Sequence, residues 1–142
     1  MSETKGISSD SIICKVDGIL TDLSASLSSN CELQFMDAKS KDGHSVLLHS
    51  TAHLMAQAVK RLFPKTKVTI GPFLENRFYY DFDVETPFTE SDLSKIEEEM
   101  MKISDENLSI VYEVKSQKDA ISYFENINET YKVEIIKELG EK

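Results

Sequence analysis

The sequence predicts an α+β fold, on three observations. Apolar residues alternate on either side of an Asp-Gly pair over residues 12–23, they repeat at helical period over residues 44–63, and a threonine cap opens a second helical stretch at Thr89. With 142 residues and 16.1 kDa the chain has length for a real core and too little for a large multidomain enzyme.

Taken in order, Ile12, Ile13, Cys14 and Val16 lead into Asp17-Gly18 and out through Ile19, Leu20 and Leu23. This is a hairpin signal, because both turn residues tolerate the positive φ that a tight turn between twisted strands requires. The serine-rich residues 24–29 connect to Cys31, Leu33 and Phe35, which alternate as a third short strand. About forty residues of small strands hold too little core to stand alone. The polar run KSKDG, residues 39–43, reads as a junction, which separates a β segment over 1–43 from a second domain over 44–142. From His44 to Phe63, the residues Leu48, Ala52, Met55, Val59 and Leu62 form the stripe of a core-facing helix. Pro64 ends it, with Lys60 and Arg61 favourably placed in the last turn. Val68 to Ile70 and Phe78 to Phe82 read as two strands around Gly71-Pro72. Thr89 caps a helix running to about Asp105, with acidic residues in its first turn. Beyond it, Ser109–Val114 reads as a strand, Gln117–Phe124 as a short helix and Tyr131–Leu139 as another helical piece.

Sixteen basic and 25 acidic residues give a net charge of −9, which repels a phosphate backbone at long range. The charge is uneven: residues 1–45 carry 4 basic and 7 acidic side chains, 46–88 carry 5 and 4, and 89–142 carry 7 and 14. Lys60, Arg61, Lys65 and Lys67 therefore read either as helix-terminal cations or as a small nucleic-acid patch. No apolar run is long enough for a membrane span, and the start MSETKGISSDS has no apolar signal-peptide core. The expectation is a cytoplasmic chain with no membrane partner, whose Cys14 and Cys31 are free thiols.

His49 and His53, four apart on the first helix, project from one face about one turn apart, which is metal-ligand spacing. Ser50 stands where a His-Glu-x-x-His zinc protease needs its glutamate base, so that class is excluded. Zinc also needs three or four ligands. Cys14 and Cys31 lie in another segment and His44 lies outside the pair, so the set is incomplete, and two histidines at this spacing are also ordinary on a surface helix. Phe78, Tyr79 and Tyr80 after Gly71-Pro72 fit simple hairpin packing, although a buried tyrosine still needs a partner for its hydroxyl. Lys132, in NETYKVEII, opens a helical piece where a lysine is ordinarily solvated. No Gly-rich phosphate loop, G-x-S-x-G or Cys-x-x-Cys is present, which leaves a P-loop enzyme, a serine hydrolase and a zinc ribbon without support.

The run HSTAHLMAQAVKRLFPKTKVTIGPFLENRFYYDFD, His49 to Asp83, closely resembles the N-terminal editing domain of bacterial-type threonyl-tRNA synthetases. The resemblance continues through PFTESDLSKIEEEM to YKVEII and covers about residues 44–139, while SIICKVDGILTDL and NCELQF resemble the second half of the small β-grasp (TGS) domain that precedes it. It implies a partial TGS-like segment over 1–43 followed by an incomplete threonyl/alanyl-tRNA synthetase editing-type domain over 44–142. The family's His-x-x-x-His pair falls on His49 and His53, its tyrosine near the terminal adenosine on Tyr80 and its active-site lysine on Lys132. The implied reaction is hydrolysis of tRNA(Thr) wrongly charged with serine, and the implied parent activity is ATP-dependent attachment of threonine to tRNA(Thr).

The resemblance implies as partners the acceptor end of tRNA(Thr) and the rest of the synthetase, which is homodimeric through its synthetic core. ATP and the firmly held zinc belong to that core. For these residues no cofactor is firmly implied, and zinc on His49 and His53 is a two-ligand arrangement. The family's further Cys-x-x-x-His-like element, downstream of YKVEI, has no counterpart in this sequence, and Arg77 stands where glycine is usual after Glu75-Asn76. A tight turn at Arg77 is then built without a residue that takes φ > 0 freely. The expectation is a chain that does not aminoacylate, edit by itself or retain zinc. The rival readings are a non-catalytic tRNA- or protein-binding module, a freestanding trans-editing factor, and a truncated or split reading frame.

Overall fold

The computed structural model describes residues 9–69, 71, 73–74 and 77–140. The chain divides into two compact units, Met1–Thr51 with Phe73–Phe78, and Ala52–Pro72 with Tyr79–Lys142. The described residues form small sheets and four helices, a mixed α and β arrangement.

In the first unit, β1 (Ile13–Val16) pairs antiparallel with β2 (Ile19–Thr21) on one edge and with β3 (Leu33–Met36) on the other. Asp17 and Gly18 join β1 to β2 with φ of 50° and 83°, so the Asp-Gly pair forms a turn whose twist matches the strands. The Asp17 backbone N–H donates to the Glu32 carbonyl at 3.0 Å while its side chain accepts the Glu32 N–H at 2.8 Å, which sets β3 in register. Cys14 and Met36 are buried. Helix α1 (Lys41–Leu62) starts earlier than its apolar stripe suggests. The polar run expected as a junction is instead a helix start: Ser40 Oγ accepts the Gly43 N–H at 3.1 Å and donates to the Asp37 carbonyl at 2.7 Å. Lys15 on β1 pairs with Asp42 at 2.6 Å. A second hairpin joins β5 (Phe73–Leu74) to β6 (Arg77–Phe78). Arg77 sits opposite Leu74 in this ladder and is not among the described residues with positive φ, so the glycine-like conformation expected there is not needed.

In the second unit the core gathers Ala58 and Val59 of α1 with Ile96 and Ile103 of α2 (Glu90–Asp105), flanked by Leu54, Met55, Phe63, Phe82, Phe88 and Met100. The α1 stripe is therefore correct at Ala52, Met55 and Val59, but Leu62 in the last turn is exposed. Thr89 caps α2 in a reciprocal box: its hydroxyl accepts the Asp92 N–H at 3.3 Å, and the Asp92 carboxylate accepts the Thr89 N–H at 3.0 Å. Between the helices, β4 (Lys67–Val68) pairs with β7 (Phe82–Asp83), so the two longer strands expected across residues 68–82 are four two-residue strands; Ile70 and Pro72 of that reading lie outside the described residues. Ser109–Val114, expected as a strand, has no regular secondary structure. Helices α3 (Gln117–Asn126) and α4 (Thr130–Glu138) pack together, with Gln117 Nε2 donating to the Ile136 carbonyl at 2.9 Å.

Candidate functional site

Both histidines belong to α1, whose 22 residues keep them one helical turn apart, and both side chains are exposed. His53 meets Tyr80 edge to face, with ring centroids 6.4 Å apart and planes at 72°. Tyr80, half-buried and two residues before Phe82 of β7, stacks on that ring at 5.1 Å and 21°. Phe82 meets Phe88 at 5.9 Å, and Phe88 meets Phe63 at 5.1 Å, so an aromatic series runs from the exposed histidine into the core. Gly71 makes this seat possible. A Cβ there would overlap the Tyr80 ring at Cδ2, Cε2 and Cγ, so the ring lies where any side chain would stand.

Burial, and secondly the negative charge of Glu129, push the Tyr80 phenol above its ordinary range. Glu129 is itself a departure from expectation, a buried carboxylate immediately before α4. Its Oε1 pairs with Lys60 at 2.8 Å, while Oε2 is buried with no hydrogen-bond partner among the described residues. Lys60 Nζ also donates to the carbonyls of Thr66 at 3.0 Å and Pro64 at 3.3 Å. One ammonium thus ties the end of α1, the turn after it and the start of α4. Neither residue was legible as part of this cluster, since Lys60 reads as a helix-terminal cation and Glu129 as one more acidic residue in an acidic third.

Lys132 stands one turn into α4, half-buried, with its N–H donating to the Glu129 carbonyl at 3.1 Å and its Nζ 5.9 Å from the centre of the Phe124 ring. The described contacts join His53 to Tyr80 and do not bring Lys132 to either. Arg61 makes a two-pronged pair with Glu106 and a further contact with Glu99 at 3.3 Å. With Lys60 and Arg61 both paired inside the unit, half of the basic cluster is used structurally rather than offered to a phosphate backbone. No group of three or more His, Cys, Asp or Glu side chains suited to a metal comes together among the described residues. Cys14 and Cys31 are free cysteines, and no described helix is long and apolar enough to cross a membrane. A cavity of about 560 Å³ lined by Phe63, Pro64, Val84, Pro87 and Phe88 contains none of His53, Tyr80 or Lys132.

Comparison with known proteins decides the kinship. No family model matches the chain. It is 47% identical over 135 residues to the threonine–tRNA ligase of Citrifermentans bemidjiense, a match covering 95% of this chain and 21% of that enzyme. The chain is homologous to the N-terminal part of threonine–tRNA ligases. The enzyme of Fusobacterium nucleatum subsp. nucleatum is 50% identical over 137 residues, 93% of this chain and 22% of the relative, and that of Symbiobacterium thermophilum 47% over 130 residues, 92% and 20%. The chain spans about a fifth of the length of these ligases. Homology to the ligases extends over the β1–β3 sheet as well as the helices, since the match takes in nearly the whole chain.

Proposed function

We propose that the chain is the proofreading portion of a threonyl-tRNA synthetase, a partial TGS-like segment over 1–43 followed by an incomplete editing domain over 44–142. In this reading His49 and His53 position and deprotonate water for attack on the ester of serine wrongly joined to tRNA(Thr), Tyr80 lines the site of the terminal adenosine, and Lys132 stabilises developing negative charge. The observation that carries the reading is the exposed His53 imidazole set edge to face against Tyr80, whose ring is seated over Gly71. Water, not an enzyme thiol or hydroxyl, is the nucleophile in this scheme. Threonine would be refused by crowding its extra methyl, a discrimination of about 1–3 kcal/mol. In this reading ATP and zinc enter no step; the resemblance assigns both to the synthetic core.

The test is a chimaera in which this chain replaces the matched N-terminal part of the Fusobacterium nucleatum ligase. Seryl-tRNA(Thr) deacylation by the chimaera should fall about 100-fold on His53→Ala, as for loss of a general base or its positioning group. Unchanged deacylation would remove His53 from the chemistry. The isolated chain should deacylate no faster than buffer, the outcome expected of a sequence with no counterpart of the family's Cys-x-x-x-His-like element.

A further inference from the structure

Glu129 stands where local preference would put another residue. It precedes α4 at the position where a Ser, Thr, Asp or Asn side chain ordinarily accepts a first-turn N–H, and its own side chain makes no such bond. The carboxylate is turned inward instead, with the side chain only 7% exposed, Oε1 on Lys60 at 2.8 Å and Oε2 without a hydrogen-bond partner among the described residues. A carboxylate and an ammonium withdrawn from water together commonly stabilise a fold no more than an apolar pair of the same size. What such a pair does supply is one fixed geometry. Lys60 lies seven residues beyond His53 on α1, so the two residues share a face of that helix, two turns and about 10 Å of rise apart. Lys60 Nζ also holds the carbonyls of Pro64 and Thr66, which fixes the turn after α1. Glu129 carries the first turn of α4: its carbonyl accepts the N–H of Lys132 at 3.1 Å and of Val133 at 3.3 Å, and Val133 is buried. The charge of Glu129 reaches Tyr80 as well, where it adds to burial in raising the phenol above its ordinary range. One carboxylate thus bears on Lys132 through the backbone and on Tyr80, the neighbour of His53, through its charge.

We propose that Lys60 and Glu129 are a positioning pair for deacylation: without touching substrate, they lock the first turn of α4 to the last turn of α1 and so set Lys132 and Tyr80 relative to His53. The proposal rests on the proofreading reading and adds to it two residues that carry no chemistry of their own. The pair suits this task because its bond is charge-assisted and directional, whereas packing of apolar side chains tolerates small slips of one helix end along another. A slip of about 1 Å between a general base and a charge-stabilising group is enough to slow a reaction on the order of 100-fold.

The test uses the chimaera of this chain with the rest of the Fusobacterium nucleatum ligase. Lys60→Met combined with Glu129→Leu removes both charges at once, so neither is left buried alone. Rates are taken per folded molecule, with urea unfolding as the check. The double variant should deacylate seryl-tRNA(Thr) with kcat lower on the order of 100-fold and KM within about twofold, because geometry is lost and binding is not. Glu129→Gln, which keeps the shape and removes the charge, should lower kcat about 10-fold, and Lys60→Arg, which keeps the charge and its donors, should stay within about threefold of the parent. In this chain by itself, Glu129→Gln should shift the Tyr80 ring protons and leave those of Tyr112 in place. Parent kcat in the double variant overturns the proposal. So does a fall in rate that only follows the folded fraction, a raised KM at unchanged kcat, or a Tyr80 spectrum that Glu129→Gln leaves unmoved. His53→Ala separates the two readings: unchanged deacylation there removes the proofreading chemistry and this proposal with it, whereas loss there beside parent rates in the double variant removes the positioning pair alone.

Discussion

Helix α2 and the segment that follows it read equally clearly in the sequence, and only one of them forms. The helix closes its backbone hydrogen bonds within itself, caps its first turn through Thr89 and Asp92, and needs from the rest of the unit only a surface for Ile96 and Ile103. Residues 109–114 have as good a strand pattern, but a strand's hydrogen bonds belong to its neighbour, and with none among the described residues its backbone is left to water and Ile110, Tyr112 and Val114 stay exposed. The difference is that a helix is decided locally and a strand jointly.

Several substitutions sharpen or break this contrast. The largest effect is expected from Ile103→Ala, which empties a buried position and should cost about 3 kcal/mol in urea denaturation, whereas Ile110→Ala in the open segment should stay within about 0.5 kcal/mol. A comparable cost at Ile110 would mean the segment is packed in solution. Next comes Gly71→Ala, which drives a methyl into the Tyr80 ring; a loss of about 2 kcal/mol is expected, with His53 ring proton shifts moving as Tyr80 is displaced. Smaller again, Thr89→Ala removes the cap of α2 and should cost about 1 kcal/mol, while Ser109→Ala should be silent.

The last is a pH effect. The Thr89 hydroxyl first, then the Thr89 N–H and Lys95, hold the Asp92 carboxyl down to about 2. Between the ordinary carboxylate range and that value the unfolded chain binds a proton that the folded chain does not. The contribution is therefore complete above about pH 4 and lost as pH falls toward about 2. Stability followed from pH 5 to pH 2 should fall less steeply in Asp92→Asn than in the parent.

Features set by neighbours in sequence were legible: the Asp17-Gly18 turn, the threonine cap, the period of α1 and the paired histidines on it. The helix start at Lys41 was hidden because its cap is made by Ser40 and Asp37, inside a run whose polarity and glycine look like a linker. The four short strands across residues 67–83 read as two because alternation marks which residues suit a strand, not where a ladder stops. At the site, the family resemblance supplied Tyr80 and Lys132, and the contact of Tyr80 with His53 gives the first of them a physical setting. Glu129 stayed invisible because the burial of a carboxylate depends on a cation brought from another element, here Lys60.

The open segment also has a consequence for proteolysis. Tyr112 stands exposed in a stretch without secondary structure, which is the site where chymotrypsin should cut the folded chain first. The cut falls between α2 and α3, so it separates Lys60 from Glu129 in the chain while leaving their ion pair intact. The nicked protein should run as two pieces in denaturant and elute as one particle without it.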